Sequence, residues 1–193
     1  MSTHVKGEQR PRRLATAEER RETVLRTAIG AFAARGYFGT TTSEVAKAAG
    51  ISQAYVYRLF PNKEALFVAV VEHCFVRVRA ALERGAAEAK GGDPEAVLSS
   101  MGDAYAHLIR DNDLMLVQLH AQAAAVSEPA VREAVRAGYA RTVEYVRGAS
   151  GGDERQVQEF FAVGMLCHLL VSIDAEAIDA PWTRTLTAGI THR

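Results

Sequence analysis

The chain has 193 residues, of which 48% are apolar and 24% charged, the balance of an ordinary globular protein with room for one or two domains. Alanine is abundant and long strand-like alternations are missing, so an all-α fold is expected. The net charge is zero, yet residues 1–63 carry eleven Lys and Arg against five Asp and Glu, while residues 64–193 carry twelve against eighteen. Such asymmetry indicates that the first part meets a polyanion.

Several classes of protein are disfavoured by the same counts. The N-terminus has no apolar run, so no secretory signal is expected. The most apolar stretch, residues 160–173, has fourteen residues, whereas a membrane span needs about 20. A cytoplasmic protein is therefore predicted. Cys74 and Cys167 are far apart and belong to no CxxC pair, so neither a disulfide framework nor a metal site is predicted, and no cofactor is expected.

Residues 1–15 are polar and basic, and they are expected to form a flexible arm. Thr16 and Glu19 have the spacing of a capping box, which predicts that the first helix starts near Ala17. Gly36 is expected to end this helix, because glycine readily takes the left-handed conformation that follows a helix.

Two short helices are predicted next. Thr41 and Glu44 form a second capping box, and Gly50 is expected to stop the helix that they begin. Ser52 can cap a third helix over residues 53–59. Two short helices joined by a glycine turn constitute a helix-turn-helix motif.

The rest of the chain is predicted to be helical, giving about nine helices in all. Asn62 is expected to cap the fourth helix, and "GASGGDE" at residues 148–154 is expected to be a flexible loop. The later helices are predicted near residues 63–89, 94–111, 113–126, 130–147, 154–175 and 182–188.

The third helix has two distinct faces at 100° per residue. Val56 and Leu59 point to one side, and the opposite side presents Gln53, Tyr57 and Arg58 together with Ala54. The apolar side is expected to pack on the first two helices. The polar side is suited to a DNA groove, because Gln pairs with adenine and Arg with guanine. Lys63 begins the next helix, where the dipole disfavours a cation, so it is expected to contact a phosphate.

Several spaced motifs in this region resemble one family. They read "AFAARGYFG", "TTSEVAKAAGIS", "QAYVYRLF" and "NKEALF", in this order. Over residues 17–71 the chain resembles the DNA-binding domain of the TetR (tetracycline-repressor-like) bacterial regulators. Ala54 replaces a frequent glycine of the family pattern, and Leu59 replaces a frequent His or Tyr, which removes one expected phosphate contact.

The resemblance implies a homodimeric repressor that binds double-stranded DNA. It implies that Gln53 and Tyr55 read bases and that Tyr57 and Lys63 contact phosphates. Arg12 and Arg13 either reach the DNA or belong to a disordered tail. The residues expected against DNA are Thr42, Ser43, Ser52, Gln53, Ala54, Tyr55, Tyr57, Arg58 and Lys63.

The C-terminal helices are expected to form a ligand pocket and a dimer interface. Residues 160–173 are apolar all round the helix, so this helix must be buried on two sides, either against its own core and a second subunit or as the central core helix of a monomer. The predicted interface residues are Phe160, Gly164, Cys167, His168 and Val171. The predicted pocket residues are Phe75, Met101, Tyr105, Leu108, Leu116, Leu119, His120, Phe161, Met165 and Trp182, each of which could instead be plain core.

The sequence therefore predicts an arm at residues 1–15, a helix-turn-helix domain at 16–62 and a ligand-binding and dimerisation domain at 63–193. The predicted function is a regulator released from an inverted-repeat operator by a small hydrophobic or aromatic ligand. No nucleophile, phosphate loop or metal motif points to an enzyme. Two alternatives stay open: an activator of the same fold, or a helix-turn-helix protein that acts through a protein partner.

Overall fold

The computed structural model describes residues 17–190, and this part of the chain is helical throughout, with connecting turns and no strand. The predictions of an all-α fold and nine α-helices are confirmed for these residues. The basic arm, with Arg12 and Arg13, and the capping residue Thr16 lie outside them. The helices are α1 (Ala17–Gly39), α2 (Thr42–Ala48), α3 (Gln53–Leu59), α4 (Lys63–Glu88), α5 (Pro94–Ile109), α6 (Asn112–Ala124), α7 (Pro129–Ser150), α8 (Glu154–Ser172) and α9 (Pro181–Thr187), with a 3₁₀ turn at Ala175–Ala177.

Gly36 interrupts α1 at the position predicted to end it, and the helix then resumes as far as Gly39. Its backbone has φ 67° and ψ −176°, a conformation that is essentially restricted to glycine. The chain makes one more helical turn after this break. The Thr40 hydroxyl then donates a hydrogen bond to Ala31 O at 3.0 Å, which holds the end of this turn against α1. The break turns the chain away from the axis of α1 just before α2 begins.

The loop predicted at residues 148–154 is shorter than expected. Helix α7 continues through Ser150, whose hydroxyl donates to Val146 O at 2.6 Å and accepts from Gly152 N at 3.1 Å. Gly151 then ends the helix in the left-handed conformation. The buried Ser150 hydroxyl thus stabilises the helical conformation of residues 148–150, which the Gly-rich composition predicted to be a flexible loop.

Helix α4 lies at the centre of the molecule. It packs against α1, α5 and α7, while α6 packs along α1. Phe67, near the start of α4, is fully buried with its ring 4.7 Å from the ring of Phe32 on α1. One apolar core therefore runs from the first helix through α4 to α7 without a break.

Candidate nucleic-acid interface and internal cavity

The two short helices α2 and α3 are held at their starts by side-chain caps. Thr41 Oγ1 accepts from Glu44 N at 3.3 Å, and Glu44 Oε2 accepts from Thr41 N at 2.9 Å. The pKa of Glu44 lies below its usual range, first because of this backbone hydrogen bond. Gly50 turns the chain at φ 66°, and Ser52 Oγ accepts from Tyr55 N at 3.2 Å. The predicted capping box, stop and cap are all present.

Helix α3 divides into the two predicted faces. Helices α1, α2 and α3 form the helix-turn-helix head. Val56 is fully buried and Leu59 half-buried against the other helices of this head. Gln53, Ala54, Tyr57 and Arg58 are exposed on the other side. A helix of seven residues is too short to be stable alone, so its packed face fixes the position of its polar face.

A buried hydroxyl organises that polar face. Gln53 Nε2 donates to Thr42 Oγ1 at 3.0 Å, and the hydroxyls of Thr42 and Tyr57 share a hydrogen bond of 3.0 Å. Thr42 is only 5% exposed. The prediction that Thr42 lines the DNA surface is corrected: its side chain lies beneath this surface and holds two residues that lie on it.

Tyr55 is flanked by two guanidinium groups. Arg20 Nη1 donates to the Tyr55 hydroxyl at 3.4 Å, and the guanidinium carbons of Arg20 and Arg58 each lie 5.5 Å from its ring centre. The sequence analysis missed Arg20, which approaches α3 from α1. Basic residues in the first turns of α1 were a signal for it, since this helix packs beside α2.

Lys63 has a partner within the chain. Its Nζ donates to Tyr37 O at 2.9 Å and lies 4.4 Å from the centre of the Tyr37 ring. These contacts explain a cation at a helix N-terminus without a phosphate. The ammonium still has two further N–H groups to offer.

His120 lies at the junction of α6 with α1. Its Nε2 is 3.2 Å from Ala33 O, and a Cβ added at Gly36 would stand 2.7 Å from its Nδ1. Nearby, the Tyr37 hydroxyl donates to Glu128 Oε2 at 3.5 Å. His120, predicted as a pocket residue, instead joins the helix-turn-helix head to the bundle.

A cavity of about 480 Å³ opens among α4, α5, α7 and α8. Four of the ten predicted pocket residues line it: Phe75, Tyr105, Phe161 and Met165. The other six do not. Met101 and Leu108 are buried in the core, Trp182 is 45% exposed, and Leu116, Leu119 and His120 lie on α6 away from the wall.

Three polar side chains meet in the wall of this cavity. The Tyr105 hydroxyl donates to Gln118 Oε1 at 3.2 Å and lies 2.5 Å from His168 Nε2. His168 is only 2% exposed, and burial lowers its pKa because the charged ring loses solvation. Burial raises the pKa of Tyr105 for the same reason. Both groups are therefore neutral at pH 7.

The predicted interface residues of α8 point mostly inward. Phe160, Gly164, Cys167 and His168 line the cavity. Cys167 and His168 are buried within the single chain, so the prediction that these two lie at a dimer interface is corrected, while Phe160 and Gly164 stay predictions. Only Val171 of that set is exposed. The large apolar side chains of α7 and α8 that are exposed, together with the residue that follows α8, are Val143, Val163, Met165, Leu169, Val171 and Ile173.

None of the helices within residues 17–190 combines the length and the apolar character that crossing a bilayer requires.

A helix-turn-helix head joined to a helical bundle is an architecture typical of DNA-binding transcriptional regulators. Residues 24–70 match the family model described as bacterial regulatory proteins, tetR family. Residues 24–70 therefore carry the DNA-binding domain of the TetR family of transcriptional regulators.

Two relatives support the assignment in sequence. The HTH-type transcriptional regulator CymR of Pseudomonas putida is 32% identical over 138 residues, which are 69% of this chain and 64% of CymR. The uncharacterized HTH-type regulator YerO of Bacillus subtilis is 30% identical over 101 residues, which are 52% of this chain and 35% of YerO. The chain thus spans about a third of YerO and just under two thirds of CymR.

A solved structure supports the fold over most of the chain. The transcriptional regulator FadR from Bacillus subtilis, in complex with stearoyl-CoA, superposes with a TM-score of 0.66. The match covers 86% of this chain and 94% of FadR at 19% identity, so it shows a shared fold alone.

Proposed function

We propose that this protein is a dimeric repressor that binds an inverted-repeat operator and leaves it when a small apolar ligand enters the cavity. The observation that carries the proposal is the exposed face of α3, on which Gln53 and Tyr57 are held by the buried Thr42 hydroxyl. Side chains fixed in this way lose little freedom on binding, so they favour specific recognition.

The held conformation of Gln53 is suited to reading a base. Its Nε2 donates one hydrogen to Thr42, which leaves the second hydrogen and the amide oxygen available. These are the two groups with which glutamine pairs to N7 and N6 of adenine in the major groove. Tyr55 and Ala54, which lie beside Gln53 on α3, can contact the methyl group of a thymine.

Phosphate contacts would come from the residues around this face. Arg58, Ser43 and Ser52 are exposed beside it, and Arg20 adds a cation from α1. Tyr57, which is 46% exposed, can offer its hydroxyl, and Lys63 its remaining hydrogens. The basic excess of residues 1–63 supports a polyanion as the partner.

One recognition helix contacts only a few base pairs, so two heads are needed for useful specificity. The apolar residues exposed on α8 support a second copy as the source of the other head. Leu169 and Val171 are 46% and 39% exposed, and Val143 of α7 is 38% exposed. A twofold axis that sets exposed apolar side chains of α7 and α8 against their counterparts in a second copy would form such a dimer.

Release would act through α4. This helix begins at Lys63 in the head and supplies Phe75, Val78 and Leu82 to the cavity wall. A ligand that fits better with α4 displaced would favour a conformation in which the two heads no longer match the operator. FadR of Bacillus subtilis has this fold and was solved with stearoyl-CoA, which supports a cavity used for ligands.

The test selects genomic DNA fragments with the purified protein at physiological salt. A single inverted-repeat motif is expected, and its affinity should fall steeply with salt. Gln53→Ala should weaken binding to this motif, whereas Val126→Ala, exposed on the bundle, should not. Unselective enrichment, or equal affinity of Gln53→Ala and the parent, would contradict DNA reading by α3 and favour a protein partner.

Repression and activation differ in a reporter assay. The operator placed upstream of a reporter gene should give low expression when the protein is present. Higher expression in its presence would show an activator.

A further inference from the structure

The charged residues in the cavity wall are all acidic. Glu95 and Glu159 are among the residues that line it, and no Lys or Arg of the described chain does so. Most of the remaining wall is apolar, including Phe75, Leu98 and Phe161. An organic anion placed here would lose its hydration without gaining a cation, which is unfavourable.

Three hydrogen bonds in the wall form a chain in which His168 donates to Tyr105, Tyr105 to Gln118, and Gln118 to a backbone carbonyl. Gln118 Nε2 donates to Leu114 O at 3.2 Å, so the amide oxygen of Gln118 faces Tyr105 and can only accept. The Tyr105 hydroxyl therefore donates to Gln118. Because its single hydrogen is used there, the hydroxyl oxygen must accept from His168 Nε2 at 2.5 Å.

This direction fixes the tautomer of His168. The proton is on Nε2, and a neutral ring then has a lone pair on Nδ1. Nδ1 is buried and has no hydrogen-bond partner among the described residues. A buried acceptor without a donor is costly, so a molecule that brings a donor to it gains affinity.

Other hydroxyls of the wall also donate to the protein. Thr142 donates to Gly138 O at 2.8 Å. The Tyr139 hydroxyl accepts from Gln122 Nε2 at 3.0 Å and makes a weak bond of 3.8 Å to Met165 Sδ. At this end of the cavity, the hydroxyl hydrogens of Tyr105 and Thr142 are therefore used within the protein and are not free for an occupant.

We propose that the cavity binds an apolar molecule that carries a neutral hydrogen-bond donor, such as a phenolic or alcoholic hydroxyl, and no anionic group. The hydroxyl lies at the Tyr105 and His168 end and donates to His168 Nδ1, with a shift of the ring that uncovers this atom. The proposal deepens the proposed function, because it names the class of ligand on which release would depend.

Three probes of similar shape test the ligand class by calorimetry on the full chain: para-butylphenol, its methyl ether para-butylanisole, and para-butylbenzoate. The phenol should bind about tenfold more tightly than the ether, the value of one hydrogen bond. The benzoate should bind more weakly than the phenol. An ether that binds as well as the phenol, tighter binding of the benzoate, or no binding of either neutral probe would overturn the proposal.

His168→Gln separates the hydrogen bond from shape. The glutamine amide can still donate to Tyr105, but it has no acceptor at the Nδ1 position, so the preference for phenol over ether should fall to about one. Val163→Ala is the control, because it changes the apolar wall and should affect both probes equally. A phenol preference that persists in His168→Gln would overturn the assignment to Nδ1. If this variant does not fold, the probes on the parent protein decide.

The ligand and DNA proposals can fail independently. Calorimetry with the probes needs no DNA, and operator selection needs no ligand. A protein that prefers the phenol but selects no motif would refute the proposed function and keep the ligand class. A protein that selects a motif but binds the ether and the phenol equally well would refute the ligand class and keep the proposed function.

Discussion

Replacing Thr42 with valine removes one hydroxyl from beneath the polar face of α3 and keeps the shape of the side chain. Two hydrogen bonds of 3.0 Å are lost, one to Gln53 and one to Tyr57. Both partners are exposed, so water can satisfy them and the fold should lose little stability. The loss should appear in DNA binding, because the two side chains must then be ordered on the DNA.

Ordering one side chain at an interface costs about 0.5–1.5 kcal/mol. Two side chains per head then cost about 1–3 kcal/mol, and about 1.4 kcal/mol, in the lower part of this range, is tenfold in affinity. A dimer has two heads, so Thr42→Val should weaken operator binding by about a hundredfold. The assay is fluorescence anisotropy with the selected operator at fixed salt, with unfolding by urea measured beside it.

Thr42→Ser is the matched control, because serine retains the hydroxyl and loses only a methyl group. It should bind more tightly than Thr42→Val. Operator affinity of Thr42→Val within about twofold of the parent would refute the reasoning, since it would mean that prior ordering of Gln53 and Tyr57 contributes little. Equal weakening by both variants would show that packing of the buried methyl is what matters.

Three further predictions concern the junction, the outer face and the cap of α2. Gly36→Ala forces a side chain into a glycine-only conformation and towards His120, so urea unfolding should show a loss of about 2–4 kcal/mol, and a loss below about 0.5 kcal/mol would contradict the strain. Leu169→Glu replaces an exposed apolar side chain of α8 with a charge; light scattering should give a monomer with unchanged helix content, and a persistent dimer would place the interface elsewhere. The lowered pKa of Glu44 stabilises the fold above the ordinary glutamate pKa, and this stabilisation is lost as the pH falls through the lowered value. Stability of the parent should therefore fall more steeply in acid than that of Glu44→Gln, and parallel pH curves would argue against the cap.

Local signals in the sequence were enough for the head. The caps of α2 and α3, the turn at Gly50 and the two faces of α3 each depend on neighbours within four residues, and the structure has them as predicted. Lys63 shows where such reasoning ends. Its partner Tyr37 lies 26 positions earlier, and no local pattern indicates that contact.

Helix α8 shows a different limit. Phe160, Gly164, Cys167 and His168 share a face at helical spacing and line the cavity, whereas Val171 falls on the same face further along the helix and is exposed. The first four residues face the cavity within the chain. The sequence could not show this, because a helix that is apolar all round gives no indication of which side meets its own chain. His120 was misplaced for a related reason, since its partner Ala33 O belongs to a distant helix.

The unbroken core has a consequence for anyone who wishes to exchange modules between regulators of this architecture. Phe32 of the head is buried against Phe67 of α4, and Gly36 is seated under the ring of His120 from α6. In a chimera cut at residue 62, Phe32 would lose its partner Phe67, and Gly36 would face an α6 side chain other than His120. Recombination should succeed only when the first turns of α4 and the α6 surface travel with the head, and a swap that ignores them should give insoluble protein even if both parents fold well.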